Sequence, residues 1–261
     1  MPFFSQAIAA SRSVSSSVAP IEVKAYRVFD YADLDGSGTS DWDSIFSSSE
    51  GTSTNYFNVG LPAYSAGDYC VICLANDEQT ATFVMTAAPV GWTRLTPATT
   101  AYGSSTSQCE FAMWGRLMDG TEGSSVNMNG ATSDSSSRQD GVTFTLANVD
   151  SSNPVDVLGS TTISSGATTS IPAVTSVDGG LCFTFVAFDG SDGDPFVTSS
   201  SGNITYDYEI DFDSNGTQAF GVSGTIMVGS IPASTSTGSV SVDFSSTDAY
   251  VAGHVILKQS L

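Results

Sequence analysis

The densest chemical pattern in the chain lies near its start, in Asp33-Leu34-Asp35-Gly36-Ser37-Gly38-Thr39-Ser40-Asp41-Trp42-Asp43. Asp33, Asp35 and Ser37 stand at alternate positions, Gly38 permits a sharp turn, and the Thr39 carbonyl and Asp41 follow. Oxygen ligands so spaced wrap calcium in loops of the EF-hand type, and Ca2+ is the one cofactor the sequence suggests. The fit is incomplete. Ser44 stands where a bidentate Glu would close the shell, and Glu22 to Phe29 before the loop reads as strand instead of helix. A solvated acidic Gly/Ser turn accounts for the same residues.

Other chemistry is harder to support. The single imidazole, His254, falls inside an apolar stretch from Tyr250 to Lys258, where a strand residue is the simpler reading than a base for one of the many hydroxyls. Cys70 and Cys73 form a C-x-x-C pair, but Cys109 and Cys182 are isolated. In a strand, the pair points to opposite faces, so all four read as buried small apolar residues, not metal ligands. Asp207, Glu209 and Asp211 share one strand face, which suits a wet outer surface better than a paired-carboxylate site. Trp42, Trp92 and Trp114 could stack on sugar, with core packing as the competing reading for Trp92 and Trp114. No catalytic set emerges, and the chain reads as a non-enzyme.

The elements that would position these residues are strands. Val142, Phe144 and Leu146 alternate with Thr, as Val240, Val242 and Phe244 do with Ser and Asp. In Thr205 to Phe212, Tyr206, Tyr208, Ile210 and Phe212 fall on the face opposite the three acids. Tyr69 to Ala75, Leu181 to Phe188 and Val255 to Leu257 are apolar on both faces and read as central strands. Asp119-Gly120, Asp140-Gly141, Asp178-Gly179 and Asp189-Gly190 mark turns between strands. No repeat is legible. About a dozen short strands predict an all-β fold: a two-sheet antiparallel β-sandwich of jelly-roll character with an extended N-terminal arm.

Composition narrows the partners. The chain has 261 residues, 7 Lys+Arg against 27 Asp+Glu and a net charge of -20. Such a surface lacks the cations to track phosphates or anionic lipid, so neither nucleic acid nor a membrane is an expected partner. The longest apolar stretches are strand-sized, against the roughly 18 residues of a membrane span, and the first twenty residues hold no signal-peptide core. Residues 1–54 are expected to form an anchoring arm and 55–261 the sandwich. Phe3, Phe4 and Ile8, with Arg12, Lys24 and Arg27, which are three of the seven basic residues, make this arm the expected docking element.

From Asn55 onward, the order of motifs resembles a β-sandwich domain of virion structural proteins from tailed bacteriophages, especially marine and cyanobacterial ones. The matching pieces are Ala66-Gly67-Asp68 entering Tyr69 to Ala75, then Pro89-Val90-Gly91-Trp92-Thr93-Arg94-Leu95. Trp114 to Leu117 followed by Asp119-Gly120-Thr121-Glu122 comes next, then Asn153-Pro154-Val155-Asp156. Asp178-Gly179 leading into Leu181 to Phe188 and the closing Tyr250 to Lys258 complete the series. The resemblance covers about 200 residues and leaves 1–54 unmatched. It implies a non-enzymatic component of the virion surface, assembled in the host cytoplasm, acting as capsid decoration or a tail-associated appendage. The expected partners are other virion proteins, with the chain itself a homo-oligomer. A glycan-binding adhesin is the alternative.

Overall fold

A computed structural model describes residues 19–29, 58–78, 88–96, 101–104, 107–128, 138–159, 162–189, 202–213 and 222–260. In chain order, the strands are β1 (Glu22–Phe29), β2 (Asn58–Gly60), β3 (Tyr69–Glu78), β4 (Thr93–Arg94), β5 (Ala101–Ser104), β6 (Ser107–Leu117) and β7 (Ser125–Asn127). They continue with β8 (Arg138–Ala147), β9 (Val155–Leu158), β10 (Thr162–Ile171), β11 (Gly180–Asp189), β12 (Tyr208–Asp213), β13 (Val222–Ile231) and β14 (Val240–Lys258). One six-stranded sheet runs β1-β8-β3-β6-β4, with β5 also on β6. A second runs β10-β14-β11-β13-β12, with β9 also on β14, and β2 pairs β7 in a small third sheet. The protein is all-β, and its named strand pairs are antiparallel.

The two large sheets close on a core of Val71, Cys73, Phe111, Met113, Val142, Phe144 and Leu146 from one side. Phe183, Phe185, Ile226, Val228, Val251 and Val255 meet them from the other. Phe111 stacks on Phe185 with ring centroids 4.0 Å apart, and Phe144 meets Phe183 edge-on at 5.3 Å. Each fully buried ring contributes about 1.5–3 kcal/mol through burial alone.

The stretches that are apolar on both faces are central because both faces are covered. Outside β3 and β6, Cys70, Ile72, Leu74, Ala112 and Trp114 lie beneath Val59, Leu61, Trp92, Met118, Val126 and Met128. The small β2–β7 sheet is fixed there by Leu61 N–H donating to Ser124 O at 2.8 Å and Thr143 Oγ1 donating to Gly60 O at 2.9 Å. Outside β11 and β14 the cover combines strand residues, among them Ile171, Val240 and Val242, with irregular chain at Val174, Ile204 and Tyr206.

Three expectations change. Residues 22–29 are not part of an arm: β1 pairs with β8, and Ile21 and Val23 pack into the main core, so the boundary at 54 does not hold. A jelly roll passes successive strands between its two sheets. Here β1, β3–β6 and β8 stay in one sheet and β9–β14 in the other, so that path is not taken. Tyr206 does not share a face with Tyr208, Ile210 and Phe212. The strand begins only at Tyr208, and Tyr206 crosses to the outer side of the sheet.

The two sheets also repeat one another, which the sequence hides. In the first sheet β8, β3 and β6 lie side by side with β4 at the edge, as β14, β11 and β13 do in the second with β12 at the edge, while β1 alone flanks β8 where both β9 and β10 pair β14. Tyr69 stands opposite Leu146 and Leu117 as Leu181 stands opposite Leu257 and Ser230. On this alignment Gly67, Cys70, Ala75 and Asp77 coincide with Gly179, Cys182, Ala187 and Asp189, and Pro20-Ile21-Glu22-Val23 echoes Pro154-Val155-Asp156-Val157. Contacts between the sheets come in matching pairs: β6 with β11 and β3 with β13, β6 with β14 and β8 with β13. These pairs exchange when β3, β6 and β8 are replaced by β11, β13 and β14.

Candidate functional site

The candidate calcium ligands Asp33, Asp35, Ser37, Thr39 and Asp41, with Trp42, lie outside the described residues, as do Phe3, Phe4, Ile8 and Arg12 of the expected docking arm. Lys24 and Arg27 lie within β1. The Lys24 ammonium donates to Asp68 Oδ2 at 2.6 Å, and the same oxygen accepts the Ser65 N–H at 2.8 Å. Asp68 sits just before β3, in the turn where Gly67 has φ of 92°. Lys24 therefore ties the edge strand to the start of the central one and does not stand as a free docking cation. The Arg27 carbonyl accepts Thr143 Oγ1 at 3.4 Å.

Trp92 and Trp114 are not a sugar platform. Trp114 has no exposed surface, and Trp92 has 6%. A proline-led turn, closed by Trp92 N–H donating to Pro89 O at 2.9 Å, drops the Trp92 ring into the layer outside the first sheet. The Arg94 guanidinium covers Trp114 at 5.9 Å from the ring centroid, and burial lowers the Arg94 pKa.

The exposed acidic motifs hold turns. Glu122 accepts the N–H groups of Asp119, Gly120 and Thr121 and pairs with Arg116 at 3.1 Å. Burial pushes its carboxyl pKa up, but those backbone bonds outweigh it and hold the group below its ordinary value. Asp156 accepts Ser176 Oγ and the N–H groups of Val177 and Asp178, and Lys258 Nζ lies 2.8 Å from Asp178. Glu209 and Asp211 face outward as the alternation predicts. Asp211 accepts Thr225 Oγ1, and the Glu209 pKa is raised by burial and by the neighbouring Asp211 charge. Among the described residues, no group of three or more His, Cys, Asp or Glu is placed to hold a metal.

Cys73 points into the main core and Cys70 into the outer layer, on opposite faces of β3 as the period of two requires. Burial raises Cys70 to about 11 and Cys182 to about 12, so neither is a nucleophile.

A polar cluster that sequence reasoning missed lies on the outer face of the second sheet. His254 of β14 stands opposite Thr184 of β11, with Nδ1 2.8 Å from Thr184 Oγ1. The Tyr206 hydroxyl is 2.8 Å from the same Oγ1, and Cys182 Sγ is 4.0 Å from the ring. His254 is 1% exposed, its Nε2 has no hydrogen-bond partner, and burial lowers its pKa to about 4. The register of β11 on β14 brings these residues together from positions 182, 184, 206 and 254, a meeting that strand alternation alone does not reveal.

No family model, curated protein or solved structure matches this chain. What the coordinates define is a class: an all-β protein of face-to-face antiparallel sheets. Among the described residues no helix is long and apolar enough to cross a membrane.

Proposed function

We propose that the chain is a non-enzymatic structural protein of a tailed-phage virion, decorating the capsid surface or belonging to a tail-associated appendage. The observation that carries this reading is where the polar chemistry goes. The ion pairs of Lys24 with Asp68, Arg116 with Glu122 and Lys258 with Asp178 each join segments distant in sequence or lock a turn. They stiffen a scaffold and leave outward-facing strand positions to hydroxyls and acids. With a net charge of -20, copies held at fixed spacing on a particle resist adhering to polyanions in solution. The resemblance of its motif order to phage virion sandwich domains favours the same reading.

Docking falls to the residues before β1, where Phe3, Phe4, Ile8 and Arg12 combine apolar anchors with a cation. Attachment to other virion proteins in many copies stabilises the particle because the assembled state alone offers the site. The adhesin reading loses two of its three candidate rings to burial.

The test is quantitative mass spectrometry of salt-washed virions from a phage that encodes the chain. Many copies per particle are expected, and truncating residues 1–18 should abolish incorporation of a protein that still folds. Absence from washed particles would sink the proposal.

A further inference from the structure

Part of the outer face of the second sheet is covered by a strap, residues 202–207, with no ladder of its own. The strap is pinned at its ends by Asn203 N–H donating to Thr237 O at 2.7 Å and Asp207 N–H donating to Val228 O at 2.8 Å. Between them, Ile204 packs against the Cys182, Ile231 and Ile256 cluster, and the Tyr206 hydroxyl reaches Thr184 and, through it, His254. Backbone of the strap passes directly over Gly229, where a Cβ would collide with Thr205 O.

We propose that the strap is an acid-released cover, held while His254 is neutral and lifted when the imidazole takes a proton beneath it. The proposal goes beyond the structural role above and does not depend on it.

Nδ1 is already engaged with Thr184 and Nε2 has no partner, so an added proton gives a buried cation with no counter-charge. The titratable groups facing the ring are Cys182 from β11 and Tyr206 from the strap, and both are neutral. Of the carboxylates on neighbouring segments, Asp156 of β9 is occupied by Ser176, Val177 and Asp178, and Asp207 is exposed to solvent. Burial lowers the His254 pKa, and the ring's hydrogen-bond partners, Thr184 and Cys182, carry no charge to offset the cost of charging it. Water reaches the cation most cheaply if the irregular strap moves, since β11 is hydrogen-bonded to both β13 and β14. Release would uncover the apolar patch of Cys182, Ile231 and Ile256.

Hydrogen exchange of the intact chain tests this, with protection corrected for intrinsic exchange from about pH 7 to about pH 4. The amides of Asn203 and Asp207 should lose protection on acidification while the β11–β13 ladder keeps it. In His254→Asn, whose amide can still serve Thr184 but cannot take the proton, the early loss should vanish. Identical profiles for the two proteins, or loss in strap and ladder at one pH, overturns the proposal. Should His254→Asn not fold, Tyr206→Phe provides the second reading. It removes the hydroxyl contact and should move release to higher pH, and an unchanged release pH overturns the proposal.

Discussion

At the scale of single residues, the polar groups that matter most are those whose partners lie far away in the chain. Asp68 takes a cation from β1 and an N–H from its own turn, and its side chain is 9% exposed against 36% for Lys24. Asp68→Asn removes a charge-assisted bond and should cost about 1–3 kcal/mol in urea unfolding, with unchanged circular dichroism. The cysteines give a simpler expectation. All four are buried, so a thiol reagent at pH 8 should leave the native protein unmodified and label four thiols after denaturation. His254 links stability to pH. Its folded pKa of about 4 lies below the roughly 6.5 of an unfolded imidazole, so the unfolded chain binds the proton first as pH falls. Its neutral burial is therefore fully tolerated above about pH 6.5, and stability is lost between there and about pH 4. The loss is on the order of 3 kcal/mol, measured as wild type minus His254→Asn so that the carboxylates cancel.

At the scale of elements, central strands are recognisable in the sequence because a strand covered on both faces is apolar on both. Tyr69 to Ala75 and Leu181 to Phe188 were legible for that reason, as was the wet side of β12. Tyr206 was misread because alternation holds only while the chain remains a strand, and the ladder on β13 starts two residues later. Trp92 and Trp114 show the same limit: the period of two assigns a face, but it does not tell whether another layer covers that face. Strand pairing also demands close approach. A Cβ on Gly141 would collide with the Cys73 carbonyl of the neighbouring β3, as well as meet the Phe29 ring. Gly141→Ala should therefore disrupt the β3–β8 ladder and lower the unfolding free energy by more than 1 kcal/mol, seen as a lower thermal midpoint and faster exchange of the Val142 to Leu146 amides.

At the scale of the whole molecule, the repeated strand order brings the ends of the two halves together. Asn148 Nδ2 donates to Pro20 O at 2.9 Å, Ser260 N–H donates to Asn148 O at 2.8 Å, and Lys258 N–H donates to Pro154 O at 2.8 Å. A circular permutant opened in the exposed turn at Ser151–Ser152, with Leu261 joined to Met1, should thus fold with native circular dichroism and a similar thermal midpoint. A molten or insoluble permutant would show that the path through Asp150 to Asn153 is needed for assembly. The amino-acid sequence by itself determined the all-β class, the central strands, the acid-rich surface and the opposite faces of Cys70 and Cys73, since these follow from local period and composition. Only the tertiary structure decided that β1 belongs to the body, that Trp92 and Trp114 lie under a second layer, that the sheets repeat one topology, and that His254 meets Thr184 and Tyr206. Those outcomes depend on register and layering between segments up to a hundred residues or more apart, and the free energy that selects them is shared among contacts no short window of sequence contains.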